Sequence, residues 1–365
     1  MVLKNLWRRK GRTLLTSGGI AIGIAVVVAL LALADGMTAQ ITGMVSGGGA
    51  DLTLIQAGVA DMQFSALDEE IGEIVAAMPE VEWVSGLLLN ITPVGQKPLF
   101  LVLGVDPQTG GIGHFQIVEG RSLQEDDEVL LGRMAANFFG RSPGDELVVQ
   151  AQRYRIAGLY ETGVSYQDTG AVLSLAEAQR LFKKQGQVGL YQVKVRPETI
   201  GQVEVLVERT QERFPEVAAY RSSEFAQNAP DIQTLQTIAS AVSIIGLLAG
   251  GLGTMNTMLM SVLERTREIG TLRALGWRKR QVLWLILRES LALSLLGGLV
   301  GLLLGAGLVS LIGFSPALAG ALVGRVSPST LIAGLGVALV LGGLGGLYPA
   351  WRAARLQPIE ALRYE

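Results

Sequence analysis

The sequence contains no cysteine and only one histidine, His114, among its 365 residues. Without thiols it has no disulfide framework, no thiolate metal site and no cysteine nucleophile. A single histidine also excludes histidine-rich metal sites and leaves nothing to support serine–histidine–aspartate chemistry. His114 stands next to Phe115, a setting typical of a packing or surface residue rather than a ligand. The sequence therefore predicts neither a catalytic residue nor a bound metal.

Charged residues are also scarce, at 17% of the chain against 49% hydrophobic residues, and they are sorted along the sequence. Residues 36–235 carry 26 Asp/Glu against 14 Lys/Arg, whereas the rest of the chain carries 16 basic and 6 acidic residues. The basic residues outside 36–235 flank apolar runs, as cytoplasmic ends of membrane spans do. This distribution argues against a nucleic-acid-binding protein, which needs a basic patch on a soluble surface.

Four apolar runs are long enough to cross a hydrocarbon core of about 30 Å as helices. The first, 14–34, could alternatively be a signal peptide cleaved after Ala34. We favour an uncleaved span, because the run is longer than a usual signal-peptide core and Gly19 and Gly23 offer a helix-packing face. The predicted order is a cytoplasmic N-terminus (1–13), span 14–34, an extracytoplasmic domain (36–235), span 238–262, a cytoplasmic segment (264–280), span 281–312, an extracytoplasmic loop (313–328), span 329–349 and a cytoplasmic tail (350–365).

Residues 36–235 alternate between strand-like and helix-like periods, which predicts an α+β domain between the first two spans. Strands are predicted over 51–56, 81–94, 99–105, 147–160, 191–195 and 217–221, and helices over 67–78, 133–139, 174–182 and 200–214. Residues 120–132 are acidic and rich in turn formers, which predicts a loop. We expect two subdomains: one formed by both ends of the domain, and a β-rich one inserted at about 106–188.

The segment Glu264 to Arg280 reads E-R-T-R-E-I-G-T-L-R-A-L-G-W-R-K-R and lies between two predicted spans. Ile269, Leu272 and Leu275 recur at helical spacing, which predicts an amphipathic helix that Gly276 ends as a C-cap. No other segment obviously buries this apolar stripe, so we interpret the helix as a docking element for a cytoplasmic partner. The alternative is a plain connector whose charges only satisfy the positive-inside rule.

The third and fourth predicted spans carry glycines at four-residue spacing, a pattern that lets helices approach closely. The glycines are Gly297, Gly301 and Gly305 in the third span and Gly342 and Gly346 in the fourth. They could serve contacts between protomers or contacts between helices of one chain. Arg288 and Glu289 are expected at the cytoplasmic interface near Trp284, because residues 290–312 alone form about 34 Å of helix.

Two membrane stretches resemble the FtsX-like ABC permeases of the MacB and LolC/LolE kind. They are R-T-R-E-I-G-T-L-R-A-L-G-W at 265–277, followed by the glycines of the third span, and the ending P-A-W-R-A-A-R-L-Q-P-I-E-A-L-R within 346–365. Residues 118–123 and 129–139 resemble the periplasmic core of the same family. The resemblance implies an α-helical membrane protein with four transmembrane helices and an extracytoplasmic α+β domain of two subdomains, in the inner membrane of a prokaryote.

The resemblance also implies partners. A permease dimer, of identical or related copies, would bind a cytoplasmic ABC ATPase dimer, and membrane lipid and a periplasmic adaptor are further candidate partners. The element after the second span would act as the coupling helix, and the resemblance assigns this role to Arg265, Arg267, Glu268, Ile269, Gly270, Leu272, Arg273, Leu275 and Gly276. The chain lacks a G-x-x-x-x-G-K-[ST] motif, so we expect ATP and Mg to bind a separate ATPase chain and this chain to carry no cofactor.

Three functions compete. The first is a non-catalytic permease subunit that transmits force from the ATPase to the outer domain, for export or extracytoplasmic handling of a hydrophobic compound, peptide or lipoprotein. The second is a signalling permease that controls a cell-wall hydrolase or senses antimicrobial peptides, and the domain of about 200 residues is small for a sensor. The third, a membrane hydrolase using Glu69-Glu70 or Asp126-Asp127, lacks a histidine or cysteine partner.

Overall fold

The computed structural model describes residues 10–106, 109, 114–318, 320 and 322–357. These residues belong to two compact units. The membrane unit comprises Met1–Leu33, Gln236–Ser310 and Arg325–Glu365, and the α+β unit comprises Ala34–Leu235 and Leu311–Gly324. In chain order the helices are α1 (Lys10–Ser46), α2 (Glu69–Ala76), α3 (Arg133–Phe139), α4 (Ser165–Asp168), α5 (Leu175–Phe182), α6 (Val203–Arg213), α7 (Ser222–Asn228), α8 (Pro230–Glu264), α9 (Thr266–Ala274), α10 (Lys279–Gly313) and α11 (Pro328–Ala354).

Four helical stretches in the described part of the chain are long and apolar enough to cross a membrane. They are Ser17–Ser46, Ser222–Glu264, Lys279–Gly313 and Pro328–Ala354. Together with the mixed sheet described below, they confirm the predicted fold class of four apolar helices and an α+β domain. Helix α1 continues to Ser46, beyond the predicted end of the first span at residue 34.

The fourth long helix does not end at Pro349, as the sequence had suggested, but continues to Ala354. A proline inside a helix costs about 3 kcal/mol, because it removes a hydrogen bond and its ring crowds the preceding turn. The turn beyond it is held by packing: Ala350 and Ala353 are fully buried in a cluster that includes Val282 of α10. Tertiary burial therefore outweighs the local preference to stop.

The α+β unit is built on one large sheet. The strands are β1 (Leu52–Gln56), β2 (Leu67–Asp68), β3 (Val81–Val94), β4 (Lys97–Val105), β5 (Gln116–Gly120), β6 (Glu128–Gly132), β7 (Glu146–Val149), β8 (Gln152–Glu161), β9 (Ala171–Ser174), β10 (Gln187–Val188), β11 (Leu190–Val195) and β12 (Val217–Arg221). Among the described residues, ten strands form a sheet in the order β12-β1-β11-β3-β4-β9-β6-β8-β5, with β7 paired to β8. Strands β2 and β10 form a separate pair.

Both faces of the large sheet are covered, which explains why its central strands are nearly all apolar. One face packs against the end of α1, through Met44 and Val45, and against Phe225 of α7. The opposite face carries two clusters. One contains residues of α3 and α5, and the other contains residues of α2 and α6, including Ile71 and Leu206.

The segment 106–188, expected as an inserted subdomain, supplies one end of the same sheet. Its strand β9 pairs with β4 in parallel, from Val102–Ala171 to Val105–Ser174, so the hydrogen-bonded ladder runs on without a break. Residues 120–132 are not a loop throughout, because β6 occupies 128–132 and pairs with both β8 and β9. The predicted loop is therefore wrong for residues 128–132. The acidic Glu128 can lie in a buried strand because two arginines pair with its carboxylate.

Candidate functional site

The short helix α9 follows α8 after a single intervening residue and ends in a left-handed turn. Gly276 has φ 94°, and its amide donates to the carbonyl of Arg273 over 3.1 Å. The amide of Trp277 donates to the carbonyl of Leu272, also over 3.1 Å. These two bonds form a Schellman motif, which needs a residue without a Cβ penalty at the left-handed position. The C-cap predicted at Gly276 is confirmed.

The apolar stripe of α9 is divided between the protein interior and the surface. Ile269 is only 3% exposed and belongs to the cluster that contains Val282 and Ala350. Leu272 is half-buried, and Leu275 is 75% exposed. The expectation that nothing in the chain covers this stripe is therefore wrong for Ile269, because helices distant in sequence meet it. What remains available to a partner is the end of the helix around Leu275.

Arg265, at the junction of α8 and α9, forms an ion pair within the chain. Its Nη1 atom donates to both carboxylate oxygens of Glu289, each over 3.0 Å, and the Glu289 side chain is 8% exposed. The sequence predicted Glu289 at the cytoplasmic interface but not its pairing with Arg265, because 24 residues, including the whole of α9, separate the two. The pair fixes the start of α9 to α10. Of the residues assigned to coupling by resemblance, Arg267, Glu268, Leu275 and Gly276 are exposed.

The glycines of α10 provide the surface on which α1 packs. A Cβ atom built on Gly301 would lie 2.7 Å from the carbonyl oxygen of Ala21 and 2.9 Å from Cβ of Ile24. Equivalent positions on Gly297 and Gly305 would lie 2.9 Å from the Ser17 carbonyl and 2.8 Å from the Ala25 carbonyl. These three glycines therefore serve a contact between helices of one chain, the second of the two alternatives left open by the sequence.

The glycines of α11 face the serines of α10. A Cβ atom on Gly342 would lie 2.9 Å from Cβ of Ser294, and one on Gly346 would lie 2.5 Å from Cβ of Ser290. The Ser290 hydroxyl donates to the carbonyl of Gly342 over 2.7 Å, which satisfies a polar group inside the bundle. Gly19 and Gly23 of α1 differ: within the described chain, no atom outside their own helix lies within 4 Å of the Cβ positions built on them.

The α+β unit contains an acidic cavity of about 530 Å³. It brings together one member of each of the two acidic pairs singled out in the sequence, because Glu69 and Asp126 both line it. Each carboxylate already accepts a hydrogen bond: Glu69 from Gln179 over 2.6 Å and Asp126 from Ser174 over 3.1 Å. Within the described residues, no three His, Cys, Asp or Glu side chains form a group that could hold a metal ion.

Glu128 is a buried carboxylate in the α+β unit. Its side chain is 0% exposed and pairs with Arg121 and with Arg155, whose Nη2 atom lies 2.6 Å from Oε1. The amide of Gln124 donates to the other carboxylate oxygen over 3.1 Å. Burial alone would raise the pKa of Glu128, but the bonds from Arg121 and the Gln124 amide lower it by more, so the net pKa lies below the usual value. The charged Glu128 thus binds strand β6 to its neighbours.

Two stretches of the chain match known families. Residues 13–211 match the MacB-like periplasmic core domain, and residues 240–358 match the FtsX-like permease C-terminal family. The chain belongs to the MacB-type, FtsX-like family of ABC permeases. The resemblance drawn from 265–277 and the C-terminal stretch is thereby confirmed, and with four apolar helices the chain is a multi-pass membrane protein.

Two relatives and one solved structure show how far the similarity extends. The macrolide export ATP-binding/permease protein MacB of Bdellovibrio bacteriovorus is 30% identical over 403 residues, covering 99% of this chain and 61% of the relative. The ABC transporter permease YknZ of Bacillus subtilis is 27% identical over 399 residues, covering 100% of this chain and 98% of YknZ. The periplasmic region of MacB from Actinobacillus actinomycetemcomitans covers 50% of this chain and 94% of its own, with 17% identity and a TM-score of 0.39. The chain spans about three-fifths of the Bdellovibrio MacB.

Proposed function

We propose that this chain is the non-catalytic permease subunit of an ABC transporter. In this proposal, α9 binds an ABC ATPase that lies outside these 365 residues and that holds ATP and Mg. ATP-driven movement of α9 passes along α8 toward the α+β unit, which exports or handles a hydrophobic compound, peptide or lipoprotein on the far side of the membrane. The name of the Bdellovibrio relative, a macrolide export protein, supports export as the function.

The observation that carries the proposal is the two-sided character of α9. One side is anchored by buried Ile269 and by the Arg265–Glu289 pair at its start. The other side ends in Leu275, an apolar side chain that is 75% exposed and follows the exposed charges of Arg267 and Glu268. A helix that is anchored on one side and presents an apolar residue on the other is suited to bind a partner and to transmit its displacement.

The proposal includes an orientation and an assembly. Basic residues concentrate in and around α9 and at the ends of the chain, and by the positive-inside rule this supports a topology with both termini and α9 in the cytoplasm of a prokaryote. A second permease copy completes the complex, and the partly exposed face of α1 that carries Gly19 and Gly23 offers a surface for close helix contact with it. A periplasmic adaptor would extend the export path.

The absence of cysteine makes a direct test straightforward, because any introduced cysteine is unique. Leu275→Cys is expected to form a cross-link to the ATPase that co-purifies with the tagged protein, and to resist an impermeant thiol reagent applied to intact cells. Ser46→Cys, at the exposed end of α1, should show the reverse pattern. Labelling of Leu275→Cys from outside would overturn the topology, and a missing cross-link with correct topology would overturn the docking role.

A further inference from the structure

A cationic cavity lies at the start of α10, beside the proposed ATPase-binding end of α9 but distinct from Leu275. Its volume is about 730 Å³. It is lined by Trp277, Arg278, Arg280, Gln281, Trp284, Leu285 and Arg288. Three guanidinium groups and two indole rings therefore line it, and none of the described residues that line it is a carboxylate. The acid nearest in sequence, Glu289, is buried and pairs with Arg265, which is not among the residues that line the cavity.

The lining follows one face of α10. Gln281, Trp284 and Arg288 are spaced by three and four residues, so they stand above one another along the helix. The guanidinium carbon of Arg288 lies 5.8 Å from the centre of the Trp284 ring, within the range of a cation–π contact. Trp284 is 42% exposed, so one part of its ring remains available to a ligand.

The position of this face along α10 indicates its depth in the bilayer. Residues 290–312 form about 34 Å of helix, enough to fill the hydrocarbon core of a bilayer. Arg288 and Trp284 therefore lie at headgroup depth, where indole rings and arginines concentrate in membrane proteins. An anionic group at that depth would meet three positive charges and could be held by the planar, two-pronged guanidinium donors.

We propose that this cavity binds the phosphate headgroup of an anionic phospholipid, such as phosphatidylglycerol, from the adjacent leaflet. The three arginines supply the charge complementarity, and Trp277, Trp284 and Leu285 supply apolar contact for the glycerol backbone and the first acyl carbons. Lipid binding at this site is separate from the proposed transport function. It depends on the proposed topology only for its assignment to the cytoplasmic leaflet.

The test measures lipid binding directly. Purified full-length protein in detergent is titrated with phosphatidylglycerol or phosphatidylcholine, and bound lipid is counted by native mass spectrometry. The wild type is expected to bind phosphatidylglycerol at least about tenfold more tightly, the factor that one or two headgroup-level arginines provide. The triple variant Arg278→Gln/Arg280→Gln/Arg288→Gln should lose this preference, and Arg288→Gln alone should lose part of it.

Arg267→Gln is the matched control, because it removes one exposed arginine on the same side of the membrane but outside the cavity. It should keep the lipid preference, and thermal unfolding should show that every variant is folded. Equal binding of the two lipids by the wild type would overturn the proposal, as would a preference that survives in the triple variant. An equal loss in Arg267→Gln would show diffuse attraction instead of a site, and displacement of phosphatidylglycerol by inorganic phosphate would indicate a soluble anion as the occupant.

Discussion

At the scale of single residues, the pairing of Arg265 with Glu289 dominates the membrane unit. A carboxylate inside a helical bundle needs a cation or a hydrogen-bond donor, because a lone buried charge is strongly disfavoured. Here both oxygens of Glu289 accept from one guanidinium nitrogen at 3.0 Å, and neither side chain is more than 15% exposed. The pair links the junction of α8 and α9 to α10, and so holds the proposed coupling helix in place.

Removing Glu289 should therefore destabilise the protein well beyond an average substitution. We expect Glu289→Ala to lower the melting temperature of the purified protein, corresponding to a loss of about 3–5 kcal/mol, because Arg265 is left buried without its partner. Glu268→Ala, which removes an exposed carboxylate from α9, should leave the melting temperature nearly unchanged. The double variant Arg265→Met/Glu289→Met should recover most of the loss. Equal melting temperatures for Glu289→Ala and Glu268→Ala would show that the pair is not structural.

Glu128 gives the α+β unit a predictable response to acid. Its pKa is lowered in the folded state from an ordinary value of 4.5, so folding is favoured by the charged form. This stabilisation is complete above the unfolded-state pKa and is lost as pH falls through the lower folded-state pKa. Glu128→Gln should therefore melt below wild type at neutral pH, and the difference should narrow once the pH drops below about 4.5. Thermal unfolding of the full chain across pH measures it.

The control for this experiment is Glu146→Gln, which disrupts a largely exposed pair with Arg153. Exposed pairs contribute little to stability, so its melting curve should follow wild type at every pH. If the difference between Glu128→Gln and wild type were constant across the acid range, the charge of Glu128 would not be the stabilising factor.

At the scale of elements, the contact between α1 and α10 depends on the absence of side chains at one face of α10. Bulk added at Gly301 must displace the backbone carbonyl of Ala21, which lies 2.7 Å from the Cβ position, and a backbone atom cannot rotate away. Gly307 lies on the same helix, yet no atom outside that helix is described within 4 Å of its Cβ position. The two glycines therefore form a matched pair.

We expect Gly301→Leu to lower the melting temperature and Gly307→Leu to leave it at or above the wild-type value, since both remove a helix-interior glycine but only the first creates a clash. The measurement is thermal unfolding in the same detergent, with size-exclusion chromatography to follow oligomeric state. Equal behaviour of the two variants would show that close approach of α1 and α10 does not stabilise the bundle.

The elements also show what sequence alone can predict. Helix α3 at 133–139 and strand β12 at 217–221 have the predicted bounds, because local periodicity and flanking turn residues define them. Strand β6 was not predicted, because Glu128 follows an acidic turn and such a sequence is typical of a loop. Only the fold brings Arg121 and Arg155 to Glu128 and allows its charge to be buried. The burial of Ile269 could not be predicted either, because it requires residues of α8, α10 and α11 to pack in one cluster with it.

At the scale of the whole molecule, the proposed function makes α9 the site where the membrane unit receives force from the ATPase. In the sequence, an apolar stripe indicated this role. In the structure, only the end of the stripe at Leu275 is exposed to a partner, because Ile269 is buried and Leu272 is half-buried. A substitution at Leu275 should therefore affect the partner and leave the fold intact, which a substitution at Ile269 could not do.

The most direct test measures the binding of the co-purifying ATPase to Leu275→Asp and its ATP hydrolysis in nanodiscs. Burial of one leucine at an interface is worth about 1.5–3 kcal/mol, so binding should weaken by about ten- to a hundredfold. Val148→Asp, an equivalent change at a half-exposed position of β7, serves as the control and should bind normally. We expect a folded Leu275→Asp protein with weak ATPase binding, or with ATP hydrolysis that no longer responds to the permease. Wild-type binding and wild-type hydrolysis in Leu275→Asp would contradict this expectation.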